Sequence, residues 1–491
     1  MIQLTDAPRV VLVLPNMMAW RNCMETPLIE LLARQDALNI AVLSIFKEDQ
    51  QHILELGASN LKWAHVHQPL ENATLQPPLL SFKEKLRQFG YGFLNCLFSR
   101  QAGFGNLVFR FNHIHRFATH QFLVHLPPAR KTREAQAGNY VDSHLGQPFP
   151  DSERLLWLLY RFYYSTWQRN SPQVEAFFEQ FRPHLVVISH VQNPTIKPYV
   201  VAATKRGIPI LGMIGSWDQA TTKGPLCPGI VRYIVQTPIM RRELITYHNV
   251  PESKIEVAGW PQMDIYKKPG IIQPRERFLQ FLGIPAENKI LLFAANSSRL
   301  GAHEPGIMQY ISRNSQTDAY GYPCTLIIRP HPRDAEWQAR FSQMHDPPNV
   351  IVLPAEKGRL DFLANLLAHA DITLASSGSI ALDSAALDTP VINIGFDGDL
   401  ETDYYNSSLR FCETDHYVNV IKSGGVRLVK SYQELDEAII AYLKDPALDS
   451  AGRERLRQEQ LEPFDGRASE RILNWIVEEA YRAYSPHQPK T

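Results

Sequence analysis

In the stretch "TLIIRPHPRD", residues 325–334, an apolar run ends in Arg329-Pro330-His331-Pro332-Arg333. The two prolines stiffen the backbone on either side of the histidine and stop a strand there, so the direction of His331 is fixed. Arg329 and Arg333 carry planar, fork-shaped donors that match phosphate. The chemistry such a corner serves is the binding of a diphosphate. A plainer role suits the same residues: His331 and Arg329 cap the strand and pair with Asp334.

A second stretch, "HADITLASSGSIALDSAALDTPVINIGFDGD", spans 369–399. Its pattern predicts a strand over 371–375, a turn Ser376-Ser377-Gly378-Ser379, and a helix over about 380–387. A turn of small residues that opens a helix exposes backbone N–H groups at the positive end of the helix dipole, which makes an anion cradle. Ser376, Ser377 and Ser379 add hydroxyl donors, and Asp383, one turn on, is placed to accept from ribose hydroxyls. Ordinary N-capping by serine is the alternative. Asp397-Gly398-Asp399 has the form of a metal-binding DxD, but no third ligand is evident. It reads as a loop after a strand, and no metal is expected.

The third stretch is "GMIGSWDQATTKGPL", residues 212–226. Trp217 offers a stacking face and Lys223 a point charge for phosphate, with Thr222 between them. Asp218 is a candidate general base for an acceptor hydroxyl, if its surroundings raise its pKa; it also suits capping of the following turn. Arg21 and Asn22 lie in the first strand-to-helix loop. His416 and Lys422, before the Gly424-Gly425 turn, are weaker phosphate candidates. No GxGxxG, Walker or GxSxG pattern occurs, which leaves dinucleotide redox, ATPase and hydrolase chemistry unsupported.

The elements that position these residues alternate apolar strand and amphipathic helix. "RVVLVLP" (9–15), "NIAVLSIF" (39–46), "HLVVISH" (184–190), "IPILGMIG" (208–215), "RYIVQT" (232–237) and "KIEVAG" (254–259) form one series. "KILLFAA" (289–295), "TLIIRP" (325–330), "VIVLP" (350–354), "DITLAS" (371–376) and "PVINIGF" (390–396) form another. Runs apolar on both faces predict parallel strands covered by helices. Two series predict two doubly wound, Rossmann-like α/β domains. Residues 1–265 are assigned to the first and 275–465 to the second, with a Pro- and Lys-rich join at 263–278. The helix in 466–491 crosses back to the first domain.

Residues 80–180 break this pattern as a helical insertion. Within 81–135, nine Lys and Arg face two Asp and Glu, a net of +7 in a chain of net charge zero. Such a segment suits an anionic membrane surface or anionic acceptor, or simply a solvated basic face. With 44% hydrophobic and 20% charged residues, the chain reads as globular, without a field that favours nucleic acid. Five dispersed cysteines predict reduced thiols and a cytoplasmic setting. Neither a signal peptide nor a membrane span is expected.

Together, the His331, Ser376–Ser379 and Trp217–Lys223 stretches resemble a GT-B glycosyltransferase. The similarity is to the CDP-glycerol glycerophosphotransferases and to the Kdo- and polysialyltransferases that carry an HP motif. It covers roughly 185–445 and adds the strand at 9–15. The resemblance implies two domains facing a cleft, His331 and the serine turn on the donor phosphates, and Asp383 on ribose. It implies a bacterial transferase of surface polysaccharide that moves a sugar from a nucleotide-sugar to a glycan or lipid-linked acceptor. Inversion, no cofactor and no metal are also implied, with Asp218 and His331 as the catalytic pair and a cytoplasmic, peripheral-membrane location. Where the glycerophosphotransferases read Trp-His-Gly, this chain reads Trp217-Asp218-Gln219, which favours sugar transfer with a carboxylate base. Glycerophosphate transfer, 2-epimerisation of a UDP-sugar, and a non-catalytic nucleotide- or sugar-binding role stay open.

Overall fold

The computed structural model describes residues 7–65, 171–222, 226–227, 229–248, 250–298, 300–344, 347–355, 359–402 and 407–484. The basic 81–135 segment and Lys223 lie outside these residues. The chain divides into two compact units, Met1–Pro261 with Arg467–Thr491, and Gln262–Gly466.

The first unit holds a seven-stranded sheet. Its strands are β1 (Arg9–Leu14), β2 (Asn39–Ser44), β3 (Leu61–His65), β4 (Leu185–Ile188), β5 (Ile210–Met213), β6 (Ile230–Val235) and β7 (Ile255–Val257). They lie in the order β3-β2-β1-β4-β5-β6-β7. Each neighbouring pair is parallel. The second unit repeats the plan with six strands: β8 (Lys289–Ala294), β9 (Cys324–Arg329), β10 (Val350–Val352), β11 (Ile372–Ala375), β12 (Val391–Ile394) and β13 (Arg427–Val429). Their order is β10-β9-β8-β11-β12-β13, and all pairs are parallel. In each sheet the order reverses once, between β1 and β4 and between β8 and β11. Open sheets of this kind bind ligands at such a switch point, beyond the carboxyl ends of the strands.

The strands form because Val, Ile and Leu fill both faces. Val10, Val11, Leu12, Val13 and Leu14 are all buried, as are Leu326, Ile327 and Ile328. Local signals set the helix starts. Asn16 caps Met17–Met24 by accepting from the Ala19 N–H at 3.0 Å. Thr26 caps Pro27–Ala33 ahead of a proline in the first turn. Both follow the preference for small polar caps and N-terminal proline.

The stretch 263–278, expected as a join, is tied to the second unit. Asn365 holds it from two sides, accepting from Gln273 N–H at 2.8 Å and donating to Ile271 O at 2.8 Å. Arg275 donates to Asp371 at 3.0 Å.

The helix Ala468–Tyr484 packs in the first unit, where Ile472, Ile476 and Ala480 join the core with Leu28, Leu32 and Leu185. Arg232 on β6 pins its polar side, with Glu479 at 2.8 Å and Glu478 at 3.5 Å. Apolar burial dominates this docking. Ile476→Ala is expected to cost about 2–5 kcal/mol, and Glu478→Ala, at the exposed end of the ion network, less than about 1 kcal/mol. Urea unfolding of the full chain checks both.

Candidate functional site

At the carboxyl end of β9, Pro330 is buried while Arg329 and His331 are half-buried. The Arg333 N–H donates to His331 Nδ1 at 3.1 Å. Burial, reinforced by Arg333 and Arg329, pushes the imidazole pKa down to about 4. His331 is therefore neutral at pH 7. With Nδ1 accepting, its hydrogen sits on Nε2. The proline-braced ring thus presents an N–H donor, suited to a phosphate oxygen, and has no free basic nitrogen. Asp334 does not serve as its counter-ion, since Asp334 is buried in an ion pair with Arg340. A hollow beyond β9 and β10 is lined by Arg329, Leu353, Arg359 and Phe362. Arg359, which the sequence did not single out, brings a second guanidinium to Arg329's side.

The serine turn follows β11. Ser376 is buried, and its hydroxyl donates to Glu304 Oε1 at 3.0 Å while His303 Nε2 lies 3.1 Å from it. Its hydroxyl is thus turned into the protein. Ser377 and Ser379 are half-buried, and neither hydroxyl has a hydrogen-bond partner among the described residues. Ser379 starts the helix Ile380–Ala386 without a side-chain cap bond, so simple N-capping does not occupy it. Gly378 has φ +116°, with open space where a Cβ would stand. Only glycine adopts that backbone readily. Asp383 is 5% exposed and accepts from Tyr266 Oη at 2.9 Å. This bond helps to fix the carboxylate's rotamer.

The sequence did not reveal Glu304. It is fully buried and accepts from the Asn296 N–H at 2.9 Å, from Ser376 and, at 3.4 Å, from Arg340. Arg340 also donates to Asn296 O at 2.9 Å and Gly301 O at 2.6 Å. A Cβ on Gly301 would sit 2.1 Å from Glu304 Oε2, so the loop closes only around glycine. The network ties together the loops after β8, β9 and β11, three adjacent strands. Burial drives the Glu304 pKa up to about 7, against the lowering effect of the Asn296, Arg340 and Ser376 contacts. A helix-start Glu shows no distinct sequence signal.

Asp397 of the DxD accepts from Ser408 N–H at 2.8 Å and Thr402 at 2.6 Å. Burial alone would raise its pKa, but these bonds and Ser407 hold it below the usual value. Its carboxylate closes its own loop. Among the described residues no group of three His, Cys, Asp or Glu gathers to hold a metal. His416 and Lys422 fall on the helix Asp415–Lys422. The neighbouring Gly424-Gly425 turn is a packing feature: Gly452 approaches so closely that a Cβ there would lie 2.0 Å from Gly424 O. The described cysteines are buried, and burial pushes the thiols of Cys23, Cys324 and Cys412 up to about 12, which makes them inert as nucleophiles.

In the first unit, Asp218 is half-buried and its carbonyl accepts from Thr221. Trp217, expected as an open stacking face, is only 5% exposed and belongs to the core. Asn22 is likewise buried; it donates to Gly215 O at 2.9 Å and bears Arg21 on its side-chain oxygen at 3.1 Å. These two residues brace the loop after β5, because the helix Met17–Met24 packs across it. Thr222 ends the short helix Gln219–Thr222. The sequence also missed His190, which follows β4 at the switch point. The Asn16 side-chain amide bonds its Nδ1.

Two parallel, doubly wound α/β sheets in one chain are the GT-B fold class. Residues 231–478 match the family described as CDP-Glycerol:Poly(glycerophosphate) glycerophosphotransferase, and the chain belongs to that family. Its fold is similar to UDP-GlcNAc 2-epimerase from Neisseria meningitidis bound to UDP-GlcNAc (14% identity, TM-score 0.50, 96% of this chain and 100% of that one). It is also similar to S. aureus MnaA in complex with UDP (13%, 0.52, 98% and 99%). A further match is the putative UDP-N-acetylglucosamine 2-epimerase from Listeria monocytogenes (12%, 0.53, 99% and 98%). No curated protein is significantly similar in sequence. Among the described residues no helix is long and apolar enough to cross a membrane.

The two shifted groups oppose each other in pH. Glu304, raised from 4.5, stabilises fully below pH 4.5, and that contribution is lost as pH rises to about 7. His331, lowered from 6.5, contributes stability that appears as pH rises from about 4 to 6.5. Each term is on the order of 3 kcal/mol in full. Relative to the wild type, Glu304→Gln should gain stability more steeply between pH 5 and pH 7, and His331→Asn should lose it. Urea unfolding at several pH values reads both slopes.

Proposed function

We propose that the protein transfers a sugar from a nucleotide-sugar to a hydroxyl of a glycan or lipid-linked acceptor, by single displacement with inversion and without a metal. The observation that carries this reading is the neutral His331 with its Nε2–H, on the same sheet edge as the Ser377–Ser379 turn. β9 and β11 are two strand spacings apart, about 10 Å, a span that a nucleoside diphosphate covers. His331, Arg329 and Arg333 take one part of the phosphates, Ser377, Ser379 and the turn's N–H groups another, and Asp383 takes the ribose. Fixed donors of this kind stabilise the charge that develops on the leaving diphosphate. Asp218 removes the acceptor proton, Arg21 and Thr222 serve the acceptor side, and Lys223 supplies a further charge for the donor phosphates. His331 acts as a donor to the leaving group and not as a base. The basic 81–135 segment meets an anionic lipid or glycan at the cytoplasmic membrane face.

Glycerophosphate transfer from CDP-glycerol is the second reading, favoured by family membership; Asp218 in place of histidine weighs against it. The same donor corner serves both. The epimerase-like fold adds a third outcome to test, conversion of a donor with no acceptor present.

Thermal unfolding with UDP, CDP, GDP, CMP and their conjugates, with and without EDTA, identifies the donor class, because a ligand of the folded state raises Tm by mass action. One base should give a shift insensitive to EDTA and lost in His331→Ala. No shift with any nucleotide would remove the donor site altogether. With the donor known, His331→Ala should lower kcat/KM roughly 100- to 1,000-fold. Asp218→Asn should lower kcat about 100- to 10,000-fold with little change in donor Kd. The product mass separates sugar from glycerophosphate transfer.

A further inference from the structure

A second basic cluster lies at the opposite, amino-terminal edge of the first unit's sheet. Arg9 opens β1, and His184 immediately precedes β4. An open groove there is lined by Arg9, Phe178, Glu179, Arg182, His184 and Arg206. The Arg9 backbone N–H donates to His184 Nδ1 at 2.9 Å, and Arg9 Nη2 lies 3.2 Å from His184 Nε2. Burial, and then Arg9, lower the His184 pKa, so the ring is neutral at pH 7. A neutral imidazole that accepts at Nδ1 carries its hydrogen on Nε2. Two donors, Nε2–H and the guanidinium, then face each other with no acceptor between them. Arg9 anchors its Nε to Arg182 O at 2.8 Å, so it cannot swing away cheaply.

The surrounding charge points the same way. Arg182 ends the helix Pro172–Phe181 with φ +50°. Its guanidinium has no hydrogen-bond or ion-pair partner among the described residues. Arg206 is held by Glu175 at 2.6 Å, with Glu179 at 3.7 Å, so Glu179, the one acid in the groove, serves Arg206. Tyr484 packs edge-on against His184 at 5.0 Å. Burial lowers the Arg9 pKa; Tyr484 opposes this and Arg182 adds to it.

We propose that this groove binds a phosphate group, held between Arg9 Nη2 and His184 Nε2–H and reached by Arg182 and Arg206. Guanidinium forks match phosphate oxygens, and of the apolar lining Ile208 keeps exposed surface beside them while Phe178 and Pro183 are buried. The site lies away from the carboxyl strand ends and is independent of the transfer reaction proposed above.

The test uses the full chain, with inorganic phosphate as probe against chloride at equal pH and ionic strength. Calorimetric titration and thermal unfolding should show phosphate binding in the wild type and in His331→Ala. Arg182→Gln should weaken it at least about tenfold, the worth of one charge-assisted hydrogen bond, while melting as the wild type does in chloride. Arg206→Gln, which spares the strand edge, should also weaken it. Sedimentation with phosphatidylglycerol vesicles, against phosphatidylcholine, separates the sources. Arg182-dependent pelleting names a lipid headgroup, and phosphate binding without pelleting names a soluble phosphate ester. Full phosphate affinity in Arg182→Gln, loss of binding in His331→Ala, or no binding to phosphate or vesicles in the wild type would overturn the proposal.

Discussion

The second unit depends on one buried carboxylate. Glu304 has no access to solvent, yet it accepts from a backbone N–H, a serine and an arginine. A buried ion pair is weak evidence for stability, because desolvation offsets most of its attraction. Here the burial raises the Glu304 pKa to about 7, so the charge is carried at a cost. Its effect is on geometry. Arg340 and Glu304 join the loops that follow β9, β8 and β11, and those loops carry His331, Asn296 and the serine turn. Loops at strand ends are ordinarily the mobile part of an α/β domain. A shared, water-excluded network lets three of them act as one rigid rim, as a site needs if donors are to be fixed before the ligand arrives.

That constraint explains how the serines divide. Three hydroxyls in a row look equivalent in the sequence. In the fold, the first is spent on Glu304, the next two are left at the surface, and Gly378 between them takes a backbone that a side chain would resist. A similar division separates the acids. Asp334 and Asp397 sit beside the apparent motifs, but each is consumed by its own loop, through Arg340 and through Ser408 and Thr402. Asp383, by contrast, is held by Tyr266 from a different part of the chain.

Eleven of the thirteen described strands stood in the two predicted series, because apolar runs with turn residues between them admit few other folds; the edge strands β3 and β13 were in neither. The fixed direction of His331 was legible because Pro-His-Pro at a strand end restricts backbone and side chain together. Glu304, Arg340, Tyr266 and His190 were not, since their roles come from long-range contacts: Glu304 meets Ser376 across 72 positions. Trp217 and Asn22 were misplaced for a related reason. A residue just past a strand reads as open to ligand, yet Trp217 is buried, and Asn22 lies buried on the helix Met17–Met24, where it binds the Gly215 carbonyl. Sequence order gives the edge of the sheet; which face of the loop is covered depends on packing from elsewhere in the chain.

The contrast between His331 and Asp218 bears on how such enzymes diverge. A donor to a leaving phosphate must have its proton on the correct nitrogen and its ring in a fixed direction. Here two prolines and the Arg333 N–H impose both, and few other arrangements do so. A base that takes a proton from a hydroxyl is less constrained, because any acceptor of suitable pKa within reach will serve. A histidine or a carboxylate meets that need, and each tolerates a different acceptor beside it. On the proposed mechanism, position 331 is thus the more tightly constrained of the two and position 218 the less constrained one.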